Sequence, residues 1–379
     1  MLNVECWMFP PAAPPMLYFD HNATHPLSPA ARDAWLDATA RFIGNPSSPH
    51  RLGDRADRAL AQAREQLAGW LGCAFEEIVW TSGATESNNT AIAHFAADEG
   101  EAWVSAIEHP CALAAVRRYF PERHRLIPVS RDGVADVEWL RAALLKTRPA
   151  FVAVMAANNE TGVLQPWREV LALCREHGVP FVCDAAQWIG KLPACGLGGC
   201  DVVSGCAHKF GGPPGVGFLK APARLRPLIV GGPQEDGRRA GTENVPGVLA
   251  MIAALAEREA ARGDVKVREQ FELELQASLP GVEIVGAGAE RLWNTVSAIM
   301  PEIDCRQRWV VKLDKLGFAV STGSACASGK EEPSHVLAAM GFSPAQAARV
   351  LRFSSGWETP PADWRELHDG LVRAVRELG

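Results

Sequence analysis

Phe151-Val152-Ala153-Val154-Met155-Ala156-Ala157, then Trp167 to His177, then Val179-Pro180-Phe181-Val182-Cys183-Asp184 read as strand, helix and strand. The same alternation runs outward in both directions. Upstream, helix-period residues from Arg55 to Leu71 lead to a short strand, Ile78-Val79-Trp80. Glu86 to Ala97 reads as a helix, Ala102 to Ile107 as a strand and Asp136 to Leu145 as a helix. Downstream, Val202-Val203 and Val216-Gly217-Phe218-Leu219 are further strands. Strands alternating with helices of this length predict an α/β fold, a mostly parallel sheet covered by helices on both faces. After Val245 the rhythm changes. Two helix patterns, Val245 to Arg262 and Val265 to Leu279, part at Gly263-Asp264. Strands at Val282 to Val285, Thr295 to Met300 and Phe318 to Val320 follow, and a last helix runs from Ala362 to Leu378. This predicts a smaller α+β domain. The expected division is a disordered tail over 1–15 and an N-terminal segment over 16–30 that packs with the small domain. A large domain over 31–263 and a small domain over 264–379 complete it.

The chain has 379 residues, 47% hydrophobic and 22% charged, enough for a large core that needs no staple. Acids outnumber bases, 44 to 38, which argues against nucleic acid as a partner over the molecule at large. Arg238-Arg239 stays as a local basic patch, and the loop from Arg238 to Asn244 has no acidic cluster of its own to pair with. No charge-free apolar run reaches the ~18–20 residues of a membrane helix. Met1 to Pro15 lacks a basic leader and carries four prolines, a poor signal peptide. Of the 10 cysteines none forms a Cys-x-x-Cys pair. That excludes a disulfide scaffold, gives no usual zinc pattern, and predicts reduced thiols in the cytoplasm with no resident metal.

In open parallel sheets, ligands bind beyond the carboxyl ends of the strands. Thr81-Ser82-Gly83-Ala84-Thr85-Glu86 follows the first strand and opens a helix, whose free N–H groups and dipole suit a phosphate. Taken alone it is an ordinary capped turn. Glu108-His109-Pro110, Asn158-Asn159-Glu160-Thr161-Gly162 and Asp184-Ala185-Ala186-Gln187 follow the next strands. Asp184 is informative, because a carboxylate ending an apolar strand is costly unless a donor or a cation meets it. Ser204-Gly205-Cys206-Ala207-His208-Lys209 then runs into a glycine-proline loop, where a lysine is confined and suited to Schiff-base chemistry. Each feature has a bland alternative, but several polar strand ends on one sheet converge on one rim. Together they suggest pyridoxal phosphate: a lysine for the aldimine, an acid for the pyridine nitrogen, a phosphate cradle and a ring-stacking group. Lys209, Asp184, Thr85 with its helix start, and His109 supply these. Gly286-Ala287-Gly288 only begins a dinucleotide fingerprint, since Arg291 stands where the third glycine belongs, and reads as a loop. Cys326 lies in Ser321-Thr322-Gly323-Ser324-Ala325-Cys326-Ala327-Ser328-Gly329-Lys330, a small-residue loop without packing anchors, and is expected to be exposed and mobile.

The ordered blocks Tyr18 to Thr24, Gly44 to Ser48, Thr81 to Ser87, Glu108 to Pro110, Asn158 to Gly162, Asp184 to Gln187 and His208-Lys209 resemble those of a known family. So do Gly231-Gly232, Arg238 to Asn244, Gly323 to Cys326, Glu332 to Ser334 and Arg352 to Ser354. The sequence resembles the NifS/IscS-type cysteine desulfurases of the class-V aminotransferase group. The resemblance implies a homodimeric pyridoxal-phosphate enzyme of fold type I that takes sulfur from L-cysteine, leaves L-alanine and serves a protein sulfur acceptor. It assigns Lys209 to the aldimine, Asp184 to the pyridine nitrogen, His109 to ring stacking and proton movement, and Gln187 to the ring hydroxyl. Asn159 would lie beside cofactor and substrate. Ala84, Thr85, Cys206 and His208 would hold the phosphate, with Thr242 from the partner subunit. Arg352 would grip the substrate carboxylate, and Cys326 would become a persulfide.

The chain departs from the family pattern at three places. Cys206-Ala207 stands where many relatives have serine and glycine, His25 where a second threonine is common, and Trp357 where an arginine is often found. A selenocysteine lyase or another class-V enzyme is the rival activity, and a catalytically silent binding subunit is the rival of another class. The Gly-Ser-Ala-Cys loop opposes a plain aminotransferase. Intact Lys209, Asp184, His109, Arg352 and Cys326 oppose silence.

Overall fold

The computed structural model describes residues 16–261, 263–302, 309–322 and 334–376. Its central sheet has seven strands in the order Ile78–Thr81, Gly217–Lys220, Val202–Cys206, Phe181–Asp184, Phe151–Ala153, Ala102–Ser105 and His124–Ile127. All run parallel except Gly217–Lys220, which is antiparallel to both neighbours. The reversal has a simple cause. Ala207 to Val216 is too short for a helical crossover, which takes about a dozen residues or more.

Side chains alternate across this sheet, so each strand feeds two cores. Trp80, Trp103, Val152, Phe181, Val203 and Phe218 face one core, with Leu60 and Leu67 of the Arg51–Leu71 helix and Val248 and Leu255 of the Val245–Ala260 helix. Val79, Val104, Phe151, Val182, Val202 and Leu219 face the other, with Ile92 of the Ala84–Phe95 helix and Val116 of the Pro110–Tyr119 helix. The regular Phe151–Ala153 strand is shorter than its apolar run, but Val154 and Ala156 N–H still donate to Val182 and Asp184 oxygens of the neighbouring strand before the Asn158–Gly162 turn.

A second, antiparallel sheet has the order Val350–Ser354, Thr295–Ile299, Glu283–Ile284. Its core holds Phe271, Val296, Phe353, Trp364 and Leu371, and Phe19 from the N-terminal segment. Leu17–Tyr18 pairs with Phe318–Ala319, and Asp20 bridges to Ser354. The periodicity from Arg55 misses the start of its helix at Arg51, where His50 is the cap and its Nδ1 accepts from Gly53 N–H at 3.1 Å. Histidine is a rare cap, and the usual start signal is absent. The Pro29–Arg41 helix also escapes the sequence pattern. It buries only Ala31 and Ala38, small side chains that let it lie close to the Val245–Ala260 helix.

Candidate active site

Asp184 ends its strand opposite Ser204 of the neighbouring strand, and that register brings the Lys209 turn to the same rim. Asn88 Nδ2 donates to Asp184 Oδ2 at 2.6 Å, and the Ala186 N–H to Oδ1 at 2.9 Å. Ser204 Oγ in turn donates to Asn88 Oδ1 at 2.6 Å, which fixes the amide orientation. The buried carboxylate is thereby satisfied and held at one angle. Asn88 lies one helical turn beyond Thr85, and its part is invisible without the fold.

Lys209 Nζ donates to the backbone oxygens of Asn22 at 2.7 Å and Ala23 at 2.8 Å. Burial lowers its pKa, and the Arg352 charge adds to the effect while Cys206 and Asp184 oppose it. Gln187 Nε2 donates to the same Asn22 oxygen at 2.9 Å. Asn22 Nδ2 reaches Thr295 Oγ1 at 2.9 Å, and the Asn22 N–H reaches Ser354 Oγ at 3.0 Å. Asn22 therefore joins the lysine turn to the second sheet.

The Ala84–Phe95 helix begins at Gly83, which offers no side-chain cap; the Ala84 N–H is directed at the Cys206 thiol, and the other first-turn N–H groups suit an anion. Gly83 has φ +152, and a Cβ on Gly217 would lie 2.5 Å from Gly83 Cα. Gly217→Ala is thus expected to push this turn out of place and weaken binding of a phosphate-bearing ligand there at least about tenfold. Unchanged affinity for such a ligand in a fluorescence titration would refute that. Cys206 is buried beside the turn, and burial pushes its thiol up to about 11. His208 Nδ1 lies 3.2 Å from Thr24 Oγ1, and burial lowers its pKa to about 4. Both shifts favour the neutral form at pH 7. Ala84 is half-buried, and Thr85 is exposed on the first turn.

His109 caps the Pro110–Tyr119 helix, its Nδ1 accepting from Cys111 N–H at 3.2 Å with Cys111 Sγ at 3.0 Å. Burial lowers the His109 pKa, so the ring is neutral with its proton on Nε2. Two buried carboxyls lie behind this wall. Burial pushes Glu108 up to about 8, with Asp184 adding and the Met155 N–H at 2.7 Å opposing. Burial pushes Glu160 up to about 7, with Ser334 Oγ at 2.5 Å and Arg352 opposing. A carboxyl with a raised folded pKa binds its proton more tightly folded than unfolded. Its contribution is complete below about 4.3, the unfolded value, and is lost as pH rises through the folded value. These two carboxyls therefore each subtract stability as pH rises between about 5 and about 8, against the opposite trend of His21 and His208, whose pKa burial lowers to about 4. Glu108→Gln keeps an oxygen for the Met155 N–H and should shift the slope of melting temperature against pH upward relative to wild type. Equal slopes for both proteins would exclude Glu108 as a contributor.

Arg352 is buried on the Val350–Ser354 strand. Its Nη1 donates to Asn159 O at 2.9 Å and its Nη2 to Asp20 Oδ1 at 2.6 Å, while its buried Nε has no partner among the described residues. Asp20 is thus a second acidic group at the rim that the sequence pattern does not single out. The Arg238–Asn244 loop corrects its sequence expectation. Arg239 pairs with Glu86 at 2.9 Å, and Arg238 is buried with its Nη2 3.3 Å from Asp236, so neither forms a free basic patch. Its acidic partners are not local to it: Glu86 is remote in sequence, and Asp236 precedes the loop. Thr242 is exposed on this loop. Cys326 lies outside the described residues. The two departures His25 and Trp357 meet, with ring centroids 5.0 Å apart. Arg258 covers Trp357 at 4.2 Å and reaches Glu358 at 2.8 Å, and His25 Nε2 lies 3.1 Å from Glu358.

The family pattern described as aminotransferase class-V matches residues 17–363. A cysteine desulfurase of Cereibacter sphaeroides is 41% identical over 375 residues, covering 96% of each chain. A cysteine desulfurase of Klebsiella pneumoniae is 40% identical over 348 residues, covering 89% of this chain and 87% of its own. The solved structure of SspA in complex with cysteine superposes with a TM-score of 0.77 at 30% identity, covering 89% of this chain and 98% of that one. With a pattern matched over nearly its whole length and relatives this similar, the chain belongs to the class-V aminotransferase family, among its cysteine desulfurases.

Proposed function

We propose that this cysteine desulfurase binds pyridoxal phosphate at the rim around Lys209 and Asp184, and passes the sulfur of L-cysteine to Cys326. One observation carries the reading: an amine of lowered pKa, a buried carboxylate locked by Asn88, and an uncapped helix start converge on one sheet edge. The residues fit the group. The turn at Gly83 has no room for a Cβ on Gly217, and among the described residues the buried Arg352 Nε finds no acceptor. Bound there, the cofactor supplies an aldehyde for amine exchange and a ring that accepts electrons.

The chain's own residues do the rest. Asp184 holds the ring nitrogen protonated, and Gln187 donates to the ring hydroxyl. Ala84, Thr85, Cys206 and His208 surround the phosphate, and Thr242 of a second copy completes it. Arg352 takes the substrate carboxylate, with Asn159 beside it. Lys209 moves the α-proton, with the neutral His109 stacked on the ring. The Cys326 thiolate forms an S–S bond as the substrate C–S bond breaks. The electron pair stays with the substrate, which is protonated and leaves as alanine. The persulfide then serves a protein acceptor for iron–sulfur assembly or thiolation. Residues 31–263 form the cofactor domain and 264–379 the small domain in this reading. The cytoplasm is its compartment, in keeping with seven free thiols among the described residues.

L-Cysteine and a thiol reductant are expected to give sulfide and alanine in equal amounts. Alanine without sulfide, or neither product, would refute the reading. Arg352→Gln is expected to raise KM for L-cysteine at least about tenfold, because a buried charged hydrogen bond is lost. An unchanged KM would remove Arg352 from substrate binding. A monomer at micromolar concentration in sedimentation that still holds cofactor would contradict the shared phosphate site.

A further inference from the structure

Lys191 is a buried amine that the chemistry above does not use. It sits one turn beyond Gln187, in the hydrogen-bonded turns that follow Asp184. Gly190 has φ +79, and a Cβ there would lie 2.4 Å from Phe210 Cβ, so only glycine lets the chain turn Lys191 inward. Lys191 Nζ donates to Asn22 Oδ1 at 2.7 Å and to Gln187 Oε1. Both acceptors are uncharged amide oxygens. Gln187 Nε2 donates to Asn22 O, which also receives Lys209 Nζ. Lys191, Gln187 and Asn22 therefore close a ring of hydrogen bonds that ends on Lys209.

A lysine amine donates in either protonation state, and here Lys191 Nζ donates to both amides, which turn their oxygens toward it. An amide without such a partner can present either end. With its oxygen held by Lys191, Gln187 has only N–H to offer the cofactor. Burying an amine without a carboxylate is costly, and burial pushes the Lys191 pKa well below its ordinary value, with Lys209 and Arg352 adding. Resting on the pyridoxal-phosphate reading, we propose that Lys191 is a positioning residue, which fixes Gln187 as a hydrogen-bond donor to the cofactor's ring hydroxyl and Asn22 as the carbonyl that receives Lys209.

The test is the pH midpoint of the holoenzyme's visible cofactor band. Donation to the ring hydroxyl draws off electron density and lowers that midpoint. Lys191→Met and Gln187→Ala are each expected to raise it by at least about half a unit. The double variant should raise it by clearly less than the sum. An unmoved midpoint in Lys191→Met, or a full sum in the double variant, overturns the proposal, since a merely structural lysine would lower the melting temperature alone. Should Lys191→Met fail to fold, Gln187→Glu examines the same contact without touching the lysine. It gives Lys191 a carboxylate and turns an oxygen to the cofactor, so the midpoint should rise while the melting temperature holds. An unmoved midpoint there overturns the proposal as well. A wild type with no lysine-bound cofactor band overturns the functional reading itself, and this proposal with it.

Discussion

Lys209→Ala is expected to fold, to retain no covalently bound cofactor, and to lose at least about three orders of magnitude of desulfurase rate. Among the described residues the site has two amines to choose between. Lys191 is the more deeply buried, and both of its hydrogen bonds go to side-chain amides inside the wall. Lys209 is half-buried at the strand end beside Asp184 and, among the described residues, is held by two backbone oxygens of the N-terminal segment. Its lowered pKa raises the fraction of free amine at neutral pH, the form that attacks an aldehyde. Losing its two hydrogen bonds costs roughly 1–3 kcal/mol, too little to unfold a domain of ordinary stability. Borohydride reduction of the wild type should therefore trap the cofactor on the Lys209 peptide. A label on the Lys191 peptide, or an active Lys209→Ala protein, would remove Lys209 from the centre of the chemistry.

Cys326→Ala is expected to bind cofactor and L-cysteine with ordinary spectra, yet release almost no sulfide. The sulfur acceptor must be a thiolate, and the thiols of the rim are poor candidates. Burial pushes Cys111 up to about 12 and Cys206 up to about 11. At neutral pH fewer than about one in a thousand of either is ionised. Ser321 and Ser334, described residues on either side of Cys326, lie beside Arg352 and Glu160. Ser321 exchanges backbone hydrogen bonds with Arg352, and Ser334 Oγ reaches Glu160 at 2.5 Å. Mass spectrometry after one turnover should find one added sulfur on the Cys326 peptide. Extra sulfur on Cys111 or Cys206, or an alanine variant that keeps most of its rate, would reassign the nucleophile.

What the amino-acid order determined by itself is the set of strand ends. Apolar runs followed by Asp184, by His208-Lys209 and by Gly83-Ala84 mark a rim because periodicity and turn chemistry are local properties, readable within a dozen residues. The same locality hid the rest. Arg352 was legible by resemblance, but not its strand, since Val350–Ser354 is too short to show alternation. Asn22, Asn88 and Lys191 carry no local signal, because each matters through partners far along the chain. Asn22 meets Thr295 and Asn88 meets Asp184, and only packing brings such segments together. His25 and Trp357 were visible as two separate departures, and the fold made them one cluster with Arg258 and Glu358. Tertiary structure alone also decided the protonation of the site. Desolvation is a property of the surroundings, and it sets Glu108 and Lys209 apart from residues of the same type on the surface.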